Sequence, residues 1–480
     1  MKKLRIFCFA EIVAILLAAL VNAQTNATPK PASTLPTDEE IRKILVDRID
    51  VQQKSVGMVV GIITPNEKRI ISYGKLSQND SLQPNGDTIF EIGSVTKVFT
   101  ALLLADMVRR GEVSLNDPVE KYLPAGVKIP ERNGKKITLV DLATHTSGLP
   151  FAPSDLNAFD SASYAKYTDE QLYKFLSVYK LESDIGAKWN YSNLGIGLLG
   201  KALASRAGMS YEKLVRRRIT KPLGMNSTAV TISSKMKKNL ALGYNSKMQP
   251  APAWEAPAFP GDGELKSTVN DLLTLLSAFT GDKKSSLSPA MTAMLQTRRP
   301  GPNLQQALGW WVISLGPGDE GFVTHGGQTW GYASTVAYDP KTRTGVVILS
   351  NMTGNDGGLG WHLLRPALPV ETSAAAQALK ARKEITINTK LFDLYIGRYQ
   401  PEAGDVITIE RRGDNLFFVS PTAPQGLRLY AESEQKFFIK EADLTVAFQI
   451  SGEGQVSGLI VEFAGTKTLV PRLKPEKENP

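Results

Sequence analysis

Two pairs of apolar, β-branched runs, placed far apart, constrain this chain more than any other feature. Gly57–Thr64 (GMVVGIIT) and Lys68–Gly74 (KRIISYG) read as paired strands, and Tyr332–Tyr338 (YASTVAY) and Gly345–Ser350 (GVVILS) as two more. Between them, helical segments alternate with Gly/Pro loops. The strongest is Val98–Arg110 (VFTALLLADMVRR), stopped by Gly111. A further helix starts at Asp38, with Thr37/Asp38 as its cap. Strands at both ends with helices between predict an α/β (α+β) sandwich, whose central antiparallel sheet joins the ends of one domain and is flanked by helices. After Pro369 the pattern changes. Residues 371–385 (ETSAAAQALKARKEI) read as a helical connector, and runs such as VITIE, NLFFV, KFFIK, LTVAFQI and GLIVEF follow between short turns. Their spacing predicts a small antiparallel sandwich or barrel over 386–474.

The N-terminus carries Lys2, Lys3 and Arg5, an apolar stretch from Ile6 to Val21 interrupted by Glu11, and the small-residue site Val21-Asn22-Ala23. This is the pattern of a signal peptide over 1–23, with an uncleaved anchor as the alternative. It predicts an exported chain, periplasmic or secreted. Residues 24–37, rich in Thr, Ala and Pro, read as a flexible leader, and the main domain as 38–370. The single cysteine, Cys8, lies in the leading segment, which excludes a disulfide framework and Cys-ligated metal sites. Only three histidines, His145, His325 and His362, remain as metal-ligand material, so neither a metal nor a cofactor is expected. The net charge of +9 permits an anionic partner without requiring one.

Two motif matches carry no chemistry. Gly195–Lys201 (GIGLLGK) resembles the start of a phosphate loop, but Ala202 stands where a hydroxyl would be needed and no strand precedes it; small residues for close helix packing are the better reading. Arg216-Arg217-Arg218 reads as a solvated helix face, and without interleaved aromatics no nucleic-acid partner is expected.

The chemistry lies elsewhere. Ser94-Val95-Thr96-Lys97 opens the most apolar helix, and positions i and i+3 share a helix face, so Lys97 can stand beside the Ser94 hydroxyl. A serine becomes a nucleophile when a neighbour takes its proton. A lysine does so only if burial or another cation lowers its pKa from about 10.4. Tyr191-Ser192-Asn193 adds a phenol able to relay that proton and an amide for a substrate carbonyl or for Lys97. His325-Gly326-Gly327 stands before a strand-like run, Gln328 to Tyr338. There the two glycines would let a substrate backbone lie along a strand edge, with His325 orienting the tyrosine or meeting a carboxylate.

These three elements, in this order and at these separations, resemble the serine β-lactamase and penicillin-binding protein superfamily, and the Tyr-x-Asn form resembles its class C branch. Leu142–Leu149 (LATHTSGL), Pro222–Met225 (PLGM) and Gly263–Leu272 (GELKSTVNDL) are similar to the same branch, and the tail is similar to a lipocalin-like barrel appended to some of these hydrolases. The resemblance implies Ser94 as acylated nucleophile and Lys97 with Tyr191 as the proton-handling pair. It implies Asn193, His325, Gly326 and Gly327 as substrate-binding residues, with the backbone N–H groups of Ser94 and Gln328 as oxyanion hole. His325-Gly326 departs from the superfamily's Lys-Thr-Gly, which loses a fixed cation and a hydroxyl. The expected activity is therefore hydrolysis of amide or ester bonds, in D-amino-acid peptides of the D-Ala-D-Ala carboxypeptidase type or in esters, with contact to cell-wall peptidoglycan implied. A class C-type β-lactamase is the alternative. An acylating protein that does not turn over, serving as a penicillin-binding sensor, is the alternative of another kind. His145 reads as mainly structural, and His362 has no assigned role.

Overall fold

A computed structural model describes residues 35–473, except 159, 303, 317–318, 374–381, 402–405, 421–422, 440–443, 453 and 464–465. The expected signal segment, almost all of the leader and most of the connector lie outside the described residues. Among the described residues no helix is long and apolar enough to cross a membrane.

The strands of the larger unit begin with β1 (Gly57–Ile63) and β2 (Lys68–Gly74). The short β3 (Phe90–Glu91), β4 (Glu131–Arg132), β5 (Lys135–Lys136) and β6 (Lys266–Ser267) follow. The set ends with β7 (Arg298–Gly301), β8 (Leu304–Ala307), β9 (Trp311–Ile313), β10 (Phe322–Gln328), β11 (Ala333–Asp339) and β12 (Thr344–Ser350). One eight-stranded sheet runs in the order β2-β1-β12-β11-β10-β9-β8-β7. β1 and β12 pair antiparallel, with Val60 opposite Ile348. The distant strand pairs of the sequence are thus neighbours, as the sandwich requires. β11 and β12 are buried along their whole length, which explains runs of apolar residues without polar alternation.

The helix Thr96–Arg109 is buried from Thr96 to Met107. A helix apolar on all sides belongs inside a core rather than on its surface. It packs against the helices Asn193–Ala207 and Ser288–Gln296. Gly197 and Gly200 do what small helix residues can do: a Cβ at Gly197 would meet Phe259 at 2.7 Å, and one at Gly200 would meet the Pro260 carbonyl oxygen at 2.0 Å. Of the three arginines read as a solvated face, Arg216 and Arg217 are exposed. Arg218 is not. It bridges Asp106 at 3.3 Å and Glu112 at 2.7 Å, tying its helix to the buried one.

The C-terminal unit is a barrel of eight antiparallel strands: β13 (Gly397–Tyr399), β14 (Ile407–Arg412), β15 (Asn415–Ser420), β16 (Ala423–Ala431), β17 (Lys436–Phe438), β18 (Leu444–Ile450), β19 (Val456–Phe463) and β20 (Thr466–Pro471). Neighbours follow chain order, and a bridge between Tyr399 and Arg472 links the first strand to the chain just after the last. Its core is aromatic: Tyr395 stacks on Phe448 at 4.1 Å, with Phe437 and Tyr399 against the same ring.

Replacing a helical glycine by alanine ordinarily stabilises a helix by about 0.5–1 kcal/mol. Gly200→Ala should do the reverse here, lowering the thermal midpoint by several degrees, because the Pro260 carbonyl must move. A differential scan in which the variant melts at or above wild type would contradict this packing.

Candidate active site

Ser94 sits where the chain leaves β3 and enters the buried helix. β3 pairs with β6, Glu91 lying opposite Lys266, and the backbone then turns through Gly93 at φ +47° into the short turn Gly93–Val95. Ser94 is partly exposed in a stretch whose neighbours are buried. Lys97, one turn on, is fully buried. Its ammonium donates to Ser94 Oγ at 2.9 Å and to the backbone carbonyl of Asp262 at 2.6 Å. The i, i+3 spacing therefore does bring the amine to the hydroxyl. The second bond is made by a backbone oxygen, which no side-chain pattern announces.

The strand β10 closes against this turn. A Cβ at Gly93 would meet Gln328 N and O at 2.7 Å each, and one at Gly327 would meet the Ile92 carbonyl at 2.1 Å and Ser94 N at 3.0 Å. Only residues without a side chain allow the two backbones to approach so closely. Ser334, opposite Gly327 on β11, donates from Oγ to the Ile92 carbonyl at 2.8 Å. The Ser94 and Gln328 backbones consequently border one space. His325-Gly326-Gly327 lies inside β10 rather than before a strand; the run read as continuous from Gln328 to Tyr338 is broken by the turn 329–332. Glycines weaken strand propensity, and the pairing with β11 overrides that preference.

Aromatic rings line the other side. The Tyr191 ring lies 5.0 Å from Lys97 Nζ, with His145 at 4.5 Å, Phe151 at 6.3 Å and Trp311 at 6.3 Å between ring centres. His145, at φ +56°, holds this loop: its Nδ1 accepts from Ser192 N at 3.1 Å, and its carbonyl accepts from Asn190 N at 2.7 Å. That is the structural role read for it. Ser192 caps the helix that Asn193 begins, accepting from Gly195 N at 2.8 Å. Asn193 is buried, and its Oδ1 has no hydrogen-bond partner, so a hold on Lys97 is not made through that atom.

His325 is fully buried and stacks on Trp311 at 4.5 Å. Burial, reinforced by the Lys97 charge, pushes its pKa down to about 3. Its Nδ1 faces the Gly326 carbonyl at 2.6 Å, which requires the proton on that nitrogen and leaves Nε2 a bare acceptor. Burial, then Lys97 and His325, likewise depress His145. The His325 imidazole is thus neutral throughout the physiological range. His362 lies on the helix Leu359–Leu364, away from these residues in the chain. Three participants had no motif to mark them: the Asp262 carbonyl, the Trp311 ring and the Trp254 indole, which lies 3.1 Å from where a Gly263 Cβ would be.

Comparison with known proteins gives consistent matches. The family model described as Beta-lactamase matches residues 38–368, and one described as a domain of unknown function matches 381–475. The D-alanyl-D-alanine-carboxypeptidase/endopeptidase AmpH of Escherichia coli (strain K12) is 30% identical over 351 residues, covering 70% of this chain and 90% of that protein. The solved β-lactamase/D-alanine carboxypeptidase of Yersinia pestis, complexed with citrate, superimposes with a TM-score of 0.56 at 25% identity, over 66% of this chain and 94% of its own. The class C β-lactamase of Rhodobacter sphaeroides does so at 0.59 and 25%, over 68% and 99%.

The buried imidazoles fix a sign. His325 takes up its proton in the unfolded chain near 6.5 but in the folded one only near 3, so stability is lost as pH falls through that interval. NMR of the labelled imidazole should show no titration of His325 between pH 8 and 5. A midpoint near 6.5 would mean that the ring is solvated and free to pair with a carboxylate.

Proposed function

This chain belongs to the β-lactamase family and is a serine hydrolase of that superfamily, and on that footing we propose that it is an exported enzyme which forms an acyl-enzyme on Ser94 and hydrolyses D-amino-acid peptides, of the D-Ala-D-Ala carboxypeptidase type, or esters. The observation that carries the reading is the contact of the buried Lys97 ammonium with Ser94 Oγ. In the reactive form Lys97 is the free amine. It takes the Ser94 proton as Oγ attacks the substrate carbonyl, and the Tyr191 phenol beside it passes a proton to the leaving group. The Ser94 and Gln328 N–H groups would hold the oxyanion, each worth about 3 kcal/mol in the transition state. Water then cleaves the ester on Ser94 and restores the hydroxyl.

The wall opposite ranks the proposed substrates. A neutral His325 gives a leaving-group carboxylate no ion pair. β-Lactams and peptides that end in D-Ala both carry such an anionic group, whereas esters and internal peptide bonds do not, so esters and internal bonds lose least. The Escherichia coli relative is named an endopeptidase as well as a carboxypeptidase, and endopeptidase cleavage has no terminal carboxylate at the bond. Export rests on the leading charges and apolar stretch of residues 1–23.

A fluorophosphonate should label wild type at Ser94 and leave Ser94→Ala unlabelled. Lys97→Ala should label at least about 100-fold more slowly, the usual size of a lost general base. In a panel of p-nitrophenyl esters, D-Ala-D-Ala peptides and a chromogenic cephalosporin, kcat/KM should be highest for the esters and lower for both carboxylate-bearing substrates. A cephalosporin that is turned over fastest would reverse the substrate assignment.

A further inference from the structure

The segment that follows Pro260 is fastened to the first turns of the buried helix. Thr100 Oγ1 donates to the Gly261 carbonyl at 2.7 Å, Lys97 to the Asp262 carbonyl at 2.6 Å, and Leu265 N donates to Thr96 Oγ1 at 3.2 Å. Asp262 is 1% exposed, and neither carboxyl oxygen has a hydrogen bond of ordinary geometry. The groups that favour its anion are the Lys97 charge, the Trp254 indole N–H and the Gly263 N–H. A buried carboxyl left so poorly solvated is costly, and a fold tolerates it where it does something.

We propose that Asp262 is a positioning residue for the acylation chemistry: its backbone carbonyl fixes the Lys97 ammonium against Ser94, and the charge of its buried carboxyl decides at what pH Lys97 gives up its proton. This rests on the role proposed above for Lys97. The physical basis is the mutual dependence of two buried groups close to one another. An ionised Asp262 stabilises the Lys97 ammonium, and a neutral Asp262 releases that hold, so the pair loses a proton as a unit rather than as two independent groups. Burial raises the Asp262 carboxyl to about 7 despite the opposing pull of Lys97, which places this exchange in the working range.

The surrounding charges do not supply the same control. From the helix Ser161–Lys166, Tyr164 faces Asp262 and is pushed above the usual phenol range, first by burial and then by that carboxyl; Tyr211, hydrogen-bonded to Thr100, is raised mainly by burial. Glu264, on the same segment, is raised to about 7 by burial and then by Asp262, but it accepts from Ala256 N at 3.1 Å and feels Lys266. Glu91, raised by burial, also faces Lys266 and accepts from Trp254 N at 2.9 Å. His145 and His325, across Lys97, are neutral near pH 7. Of these three carboxyls, Asp262 is the one that feels Lys97.

Fluorophosphonate labelling of Ser94, measured from pH 5 to 9, tests this without reference to any substrate. Asp262→Asn keeps the backbone carbonyl and removes the anion, so Lys97 should lose its proton more readily and the acid limb of the rate should move down by about one pH unit or more, a tenfold change at its midpoint. Glu264→Gln should move it much less. A purely structural role for Asp262 would lower the rate evenly at every pH and leave the limb in place; that result, or a larger shift in Glu264→Gln, overturns the inference. Failure of wild type to label would instead sink the nucleophile assignment. Folding is checked in parallel. Burial holds the wild-type carboxyl well above its unfolded value near 3.8, so its cost to stability grows as pH rises above that value. The thermal midpoint of Asp262→Asn should therefore gain on wild type between pH 5 and 8. An equal difference at both pH values would mean that the carboxyl is not buried as described.

Discussion

A lysine ammonium held away from water by one hydroxyl and one backbone carbonyl is the interaction on which the rest of this molecule depends. Lys97 has no exposed surface, and its bonds to Ser94 Oγ and the Asp262 carbonyl substitute for lost solvation. Holding it there requires a buried helix, a segment sewn to that helix by Thr96 and Thr100, and a neighbouring helix with glycines where the segment passes. The core is organised around placing one amine.

The walls of the site then differ in kind. On one side two backbones approach so closely at Gly93 and Gly327 that a side chain on either would collide with main-chain atoms. On the other, the rings of Tyr191, His145, Trp311 and His325 form a contiguous aromatic cluster, tilted, edge-on and stacked in turn, in which both imidazoles are neutral. Little solvent separates these groups, and the charge on Lys97 is felt by both imidazoles and by Asp262.

Much of this was legible in the residues and some was not. Strand pairing across the domain followed from apolar runs at its two ends, and the Ser94–Lys97 contact from helical spacing alone. The glycines of the Asn193–Ala207 helix were readable as packing, because no hydroxyl followed Lys201. His325 was readable as a departure, but its charge state was not, since stacking on Trp311 and full burial are products of the fold. Asp262 escaped notice for a related reason. Its carbonyl has no sequence signature, and its side chain sits in a Gly-Asp-Gly turn of the kind that normally faces solvent. Arg218 was misread with its two neighbours because a run of like charges hides the one member that turns inward.

The pairing of β1 with β12 has a consequence in time. Thr344 is made 281 residues after Ile63, an interval of roughly fifteen seconds to a minute at ordinary ribosomal rates of about 5–20 residues per second. Until then the strand Gly57–Ile63, apolar and paired with β2 alone, has an edge whose partner has not been made. The sheet at the centre of this domain can therefore close only after nearly the whole domain has been synthesised.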